Sequence, residues 1–158
     1  MALEFRLLWA GRRSEAAWEG LCREYRDRIA PWHPIRESAV RVRSAGDDPS
    51  RRRAEGEALA AAAPADAWWV ALDRRGRSLD SEQLAREVGR WRLEWSRPVV
   101  FFLGSDLGLD PGLVERCRLR LSLGPLTLPH ALARLVLLEQ LYRSLSILEG
   151  IQYHRRPF

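Results

Sequence analysis

Val99-Val100-Phe101-Phe102-Leu103-Gly104-Ser105-Asp106-Leu107-Gly108 is the stretch that decides the fold. Its first half is apolar without alternation, and it stops at a glycine-containing loop. A strand with one wet face alternates apolar and polar residues. A strand covered on both faces by helices is apolar throughout. Residues 99–103 are therefore read as an inner strand of a parallel sheet. Beyond the loop, Asp110 and Pro111 mark a helix start, as N-cap and first helical position.

Working outward, the rest of the chain alternates short apolar runs with amphipathic stretches. Residues 5–11 read as a first strand. Ser14 is placed to cap a helix reaching about Ile29, with Trp18, Leu21, Cys22, Tyr25 and Ile29 at helical spacing. Residues 35–42 read as a second strand. Asp47-Asp48-Pro49 opens an alanine-rich helix to Ala62, which Pro64 ends. Residues 68–72 form a third strand, followed by a turn at 73–76. Asp80 with Gln83 three residues on has the form of a capping box. The helix it opens carries Leu84, Val88, Trp91 and Trp95 on one face. After the strand at 99–103 and the helix at Asp110, residues 119–123 are a short strand. The loop 124–129 leads to a long helix, 130–148. Strands alternating with helices make one α/β domain with a parallel sheet, spanning residues 1–158.

The 158 residues include 26 basic and 21 acidic side chains, a net charge of +5. Every basic residue is arginine; there is no lysine and no asparagine. GC-rich coding explains that bias. Arginine's planar fork also pairs with phosphate oxygens, so a basic small domain is compatible with a nucleic-acid partner. No run approaches the length of a membrane span, and the first residues lack the layout of a signal peptide. Cys22 and Cys117 have neither metal nor redox spacing and read as buried thiols. The expectation is a cytoplasmic protein without membrane or metal.

Standard chemical motifs are missing. Without lysine there is no phosphate-binding P-loop, and GxGxxG, GxSxG and HExxH do not occur. What remains are the loops after the strands' carboxyl ends, where open α/β sheets bind ligands. These are residues 72–76, 104–105 and 124–128. Pro125 and Pro129 stiffen the last of them. The final helix is apolar on two sides: Leu138, Leu141, Tyr142, Leu145 and Leu148 on one, Leu132, Val136 and Ile147 on the other. A homodimer would cover the second side. Arg134 lies within the main apolar face, where a charge must be paired or must line a site. Both readings stay open at this point. The run 51–53 is read as a solvated helix face.

Residues 102–109, 121–130, 138–143 and 153–155, in this order and spacing, resemble the ribosomal RNA large-subunit methyltransferase H family of the SPOUT superfamily. Leu72-Asp73-x-x-Gly76 fits as well. The resemblance implies a parallel sheet flanked by helices, with a C-terminal deep trefoil knot that binds S-adenosylmethionine, in a homodimer. It implies methylation of N3 of a pseudouridine in helix 69 of 23S rRNA, within the assembled 70S ribosome. Carried over by position, the cofactor would be held by Leu72, Gly104, Leu123, Gly124, Pro125, Leu126, Thr127 and Leu128. Tyr153, His154 and Arg155 would form the catalytic tail, with His154 taking the N3 proton. Arg143, His130 and Arg134 would face the RNA. The family usually has glycine where Ser105 stands, and often proline where Gln152 stands. Those departures keep an alternative in view, a ribosome-binding assembly factor on the same fold that no longer methylates.

Overall fold

The computed structural model describes residues 2–12, 15–43 and 45–155. In chain order they form β1 (Glu4–Ala10), α1 (Ala16–Ile29), β2 (Ile35–Val40), α2 (Asp48–Ala62), β3 (Trp68–Ser78), α3 (Ser81–Arg90), β4 (Pro98–Leu103), α4 (Pro111–Arg116), β5 (Leu119–Ser122) and α5 (His130–Leu148). The strands make one sheet in the order β2-β1-β4-β3-β5, and every pairing is parallel. The unbroken apolar run sits where its composition requires, at the centre, with Val99–Leu103 all buried.

Strand side chains alternate between two helical layers, as the period of two demands. Val99, Phe101 and Leu103 face the larger core with Phe5, Leu7 and Trp9 of β1, packed under α1, α3 and α5. Val100 and Phe102 face the smaller core with Leu8, Leu59, Trp69 and Leu113, under α2 and α4. Leu137, Leu138, Leu141 and Leu145 of α5 are fully buried in the larger core. Leu132, Val136 and Ile147 of the same helix are half-buried and belong to neither core. The two-sided apolar character of α5 is therefore real. Its inner side also includes Leu137, which the sequence reading left out.

Three local expectations shift. Ser14 lies outside the described residues; α1 begins at Ala16, with Glu15 in the cap position and no side-chain cap. The turn expected at 73–76 is an irregularity inside a longer strand. Pairing of β3 with β5 breaks after Leu72 and resumes at Arg77 and Ser78. Gly76 makes this possible: a Cβ there would stand 2.5 Å from the Arg120 carbonyl oxygen. The helix opened by Asp80 has its capping box, but its last turn, Trp91–Trp95, is π-type, closed by Ser96 N–H on the Trp91 carbonyl. Ser96 adopts φ 51°, and Trp95 swings over to meet Trp68 edge-on at 5.3 Å.

Candidate functional site

The carboxyl ends of β3, β4 and β5 open into a cavity of about 780 Å³. That is within the usual range for a site taking a small organic ligand. Apart from Pro125, every position the resemblance implies for the cofactor lines this cavity. Leucines 72, 103, 121, 123, 126 and 128 give it apolar walls. Leu126 is 76% exposed at the rim, a large apolar side chain held in solvent by a proline-stiffened loop.

Local hydrogen bonds explain how the walls are held. Ser122, buried behind β5, accepts from the Gly124 N–H at 3.1 Å and donates to the Arg74 carbonyl at 3.0 Å. It thus ties the end of β5 to the β3 irregularity. Gly124 takes φ +121°, a value open to glycine, where the chain leaves β5. The Arg74 guanidinium donates to Thr127 Oγ1 at 3.2 Å. Gly104 is needed for a reason internal to the protein. A Cβ at this position would stand 2.5 Å from the Gly108 carbonyl carbon, so the 104–108 loop closes on itself. The Ser105 hydroxyl donates to Glu55 of α2 at 2.8 Å and accepts the Leu107 N–H of its own loop, so the serine that departs from the family pattern is fully engaged within the protein.

His130 begins α5 at this mouth. Its Nδ1 donates to the Gly104 carbonyl at 3.3 Å, and its ring packs on Trp9 at 5.5 Å. Burial, despite the Gly104 contact, holds its pKa below the usual imidazole value, so the ring is neutral near pH 7. Its Nε2 is buried without a hydrogen-bond partner. Because β5 pairs with β3 while α5 starts beside β4, residues 123–129 carry the chain across the ends of two strands.

Arg134, one turn further along α5, is fully buried. It pairs with Glu19 at 2.9 Å and Glu37 at 3.0 Å, and its guanidinium lies 4.0 Å from the Trp9 ring centroid. Arg26 also pairs with Glu37. Burial works against the charge, but the hydrogen bonds to Glu37 and Glu19 outweigh it and raise the pKa. Of the two readings left open by the sequence, the geometry meets the paired one: this side chain has no exposed surface to offer an RNA.

The tail residues gather elsewhere. The Tyr153 hydroxyl donates to Glu139 Oε1 at 3.0 Å and meets Tyr25 at 3.4 Å, and its ring packs edge-on to Tyr142 at 4.7 Å. Burial first, then the bond to Tyr25 and the nearby Glu139 charge, raise the Tyr153 pKa, so its hydroxyl stays protonated. Arg143 binds Glu139 through two nitrogens, at 3.0 and 2.6 Å, and covers the Tyr153 ring. It also donates to His154 Nδ1 at 3.1 Å. A guanidinium can only donate, so His154 is held with Nδ1 bare and its proton on Nε2, which lies 3.8 Å from Glu82. Arg155 is exposed. The cluster contacts α5 at positions 139–143, roughly 14–20 Å along the helix from His130 at 1.5 Å per residue. The cavity and the tail of one chain are thus not brought together.

Sequence reasoning missed Arg120 and Arg52 at the cavity. Arg74 lay within a segment it had flagged. Arg52 belongs to the run read as solvated, and only the packing of α2 beside α4 turns it toward the rim. Among the described residues there is no group of His, Cys, Asp and Glu able to hold a metal ion, and no helix long and apolar enough to cross a membrane.

Comparison with known proteins gives a consistent picture. Residues 3–154 match the family described as "Predicted SPOUT methyltransferase". A "Ribosomal RNA large subunit methyltransferase H" of Gluconacetobacter diazotrophicus is 42% identical over 151 residues, covering 95% of this chain and 96% of that one. The protein of the same name from Stenotrophomonas maltophilia is 39% identical over 156 residues, covering 97% and 99%. Among solved structures, a "probable methylase family protein" from Haemophilus influenzae superposes with a TM-score of 0.53 at 14% identity. It covers 92% of this chain and 66% of that one, a likeness of fold alone.

Proposed function

The chain belongs to the SPOUT methyltransferase family, and from that membership we propose that it binds S-adenosylmethionine in the cavity at the ends of β3, β4 and β5 and methylates ribosomal RNA of the large subunit. The finer reading is N3 of a pseudouridine in helix 69 of 23S rRNA, on the assembled ribosome, by a homodimer whose C-terminal part is knotted. The observation that carries it is the cavity itself. Its leucine walls and its loop backbone fit a purine-containing ligand that is read without a charged side chain.

When bound, the cofactor supplies a methyl group on a positively charged sulfur, already a good electrophile. The protein's part is then alignment and proton handling. Leu72, Leu123, Leu126 and Leu128, which line the cavity, would hold the cofactor. The bond from His130 to the Gly104 carbonyl fixes the floor. Arg74 and Arg120, at the rim, face incoming phosphate.

His154 accepts the N3 proton once its Nδ1 leaves Arg143. Arg143 and Arg155 stabilise the developing imide anion. Because one chain's tail lies far along α5 from its own cavity, the tail of a second copy completes the site. The half-buried Leu132, Val136 and Ile147 are the apolar surface for that pairing. No observation favours the non-catalytic reading: Ser105 is engaged with Glu55 of α2.

Calorimetric titration with S-adenosylmethionine tests this directly. We expect saturable binding by the wild type. Leu126→Asp, at a side chain whose exposure leaves folding intact, weakens it at least about tenfold. A folded dimer that shows no binding, or equal binding by both proteins, removes the cofactor from this cavity.

A further inference from the structure

At the opposite end of the sheet, where β3, β4 and β5 begin, arginines lie on indole rings. The Arg118 guanidinium is 4.8 Å from the Trp68 centroid and 4.9 Å from that of Trp95. Arg97 covers Trp95 at 5.2 Å, and Arg116 covers Trp69 at 4.7 Å. Arg97, Arg116 and Arg118 are exposed, and none of them forms an ion pair among the described residues. Arg90, over Trp68 at 5.7 Å, is paired with Glu87. Arg116 and Arg118 also wall a separate cavity of about 480 Å³ whose floor is alanine and Trp69.

This surface is continuous with the site already described. β5 is an edge strand; Arg118 immediately precedes it, two residues from Arg120 within it. Arg120 is exposed and lines the cofactor cavity together with Arg74. A line of guanidiniums therefore runs down one edge of the sheet, from the tryptophan cluster to the cavity mouth. Asp73, Asp106 and Glu115 line the cavity beside Arg120, and among the described residues no carboxylate forms an ion pair with Arg97, Arg116, Arg118 or Arg120.

A guanidinium with one flat side against an indole is held in place while its N–H edge stays free. That edge binds phosphate oxygens in pairs, and the outer flat side can stack on an unpaired base. An alanine-floored hollow between such groups accepts a ribose or a base without a charged competitor. We propose that this edge, Arg97-Arg116-Arg118 through Arg120, is a second RNA-binding surface. It holds the strand that flanks the target nucleotide while that nucleotide lies at the mouth of the cofactor cavity. The choice of RNA as the polyanion rests on the function proposed above; the surface itself rests on the unpaired, stacked arginines.

The test compares the wild type with the triple variant Arg97→Gln, Arg116→Gln, Arg118→Gln. A control, Arg23→Gln, Arg41→Gln, Arg43→Gln, removes the same charge from exposed positions on α1 and beyond β2. The probe is a fluorescein-labelled single-stranded RNA of mixed sequence, read by anisotropy over a range of salt. Three lost phosphate contacts flatten the log–log salt slope by about 2, at about 0.7 per contact. Affinity falls at least about tenfold at low salt. The control changes neither by more than about half as much. S-Adenosylmethionine binding and the thermal midpoint of the triple variant stay at wild-type values.

An unchanged slope in the triple variant overturns the proposal, and so does an equal loss in the control. Polyglutamate that binds as tightly as RNA, with the same dependence on these arginines, overturns it too, because the edge would then take acidic protein. If the wild type fails to bind S-adenosylmethionine, the function proposed above falls, while the difference in salt slope still reads this surface independently.

Discussion

Arg134 carries the most consequential single charge in the protein. A guanidinium with no exposed surface is tolerated only because Glu19 and Glu37 pair with it and Trp9 lies against its flat side. Trp9 in turn packs on His130, and His130 holds the Gly104 carbonyl. A buried ion pair thus supports the wall of the cavity from behind. Arg134→Met leaves Glu37, itself only 4% exposed, without one of its two cations. We expect a loss of about 3–5 kcal/mol in unfolding free energy by urea titration. A loss below about 1 kcal/mol would show that the pair is dispensable. At this scale the sequence was informative about necessity but not about partners. A charge at that spacing on an apolar helix face had to be paired or functional. Which one it was depended on Glu19 and Glu37, brought in by a helix and a strand distant along the chain.

At the scale of elements, α3 and α5 run side by side. Ser81 Oγ bonds Gln140 Oε1 at 2.7 Å, and eight residues on from each, Gly89 faces Leu148. The helices are close there, since a Cβ on Gly89 would stand 3.1 Å from a Leu148 methyl. Leu148 is 38% exposed at the end of its helix and can turn aside. Gly89→Ala should therefore gain helix propensity and raise stability by about 0.5–1 kcal/mol. A fall in the urea midpoint would mean that the close approach itself is required.

Most elements were legible from periodicity: the five strands, the five helices and the capping box at Asp80 and Gln83. The extension of β3 was not, because its second half pairs only where Gly76 lets the Arg120 carbonyl through. The π-type turn was not, because a helical period cannot register one extra residue per turn. The tryptophan that it displaces, Trp95, is one of the rings beneath Arg118.

For the molecule as a whole, the parallel class followed from one apolar run, whereas the placement of the site did not follow from any run. The carboxyl-end loops were picked out as candidates by a general rule for α/β sheets, and the cavity lies among them. The tail motif was also found, but its position was not. A sequence gives no distance between residues 154 and 104, and the chain here separates them by most of a helix. On the proposed reading, that separation is why a second copy is called on to complete the site. The molecule thus has a cavity end and an arginine–tryptophan end, joined by the edge strand β5.

The most direct measurement is transfer of radiolabelled methyl from S-adenosylmethionine to purified 70S ribosomes, with the label then located by nuclease mapping and mass spectrometry. We expect one methyl group on a pseudouridine base of helix 69 in 23S rRNA, and a single-turnover rate lowered at least about a hundredfold by His154→Ala. Label absent from 23S rRNA, or placed on another RNA, would contradict the central claim. An undiminished rate in His154→Ala would contradict the role given to the tail.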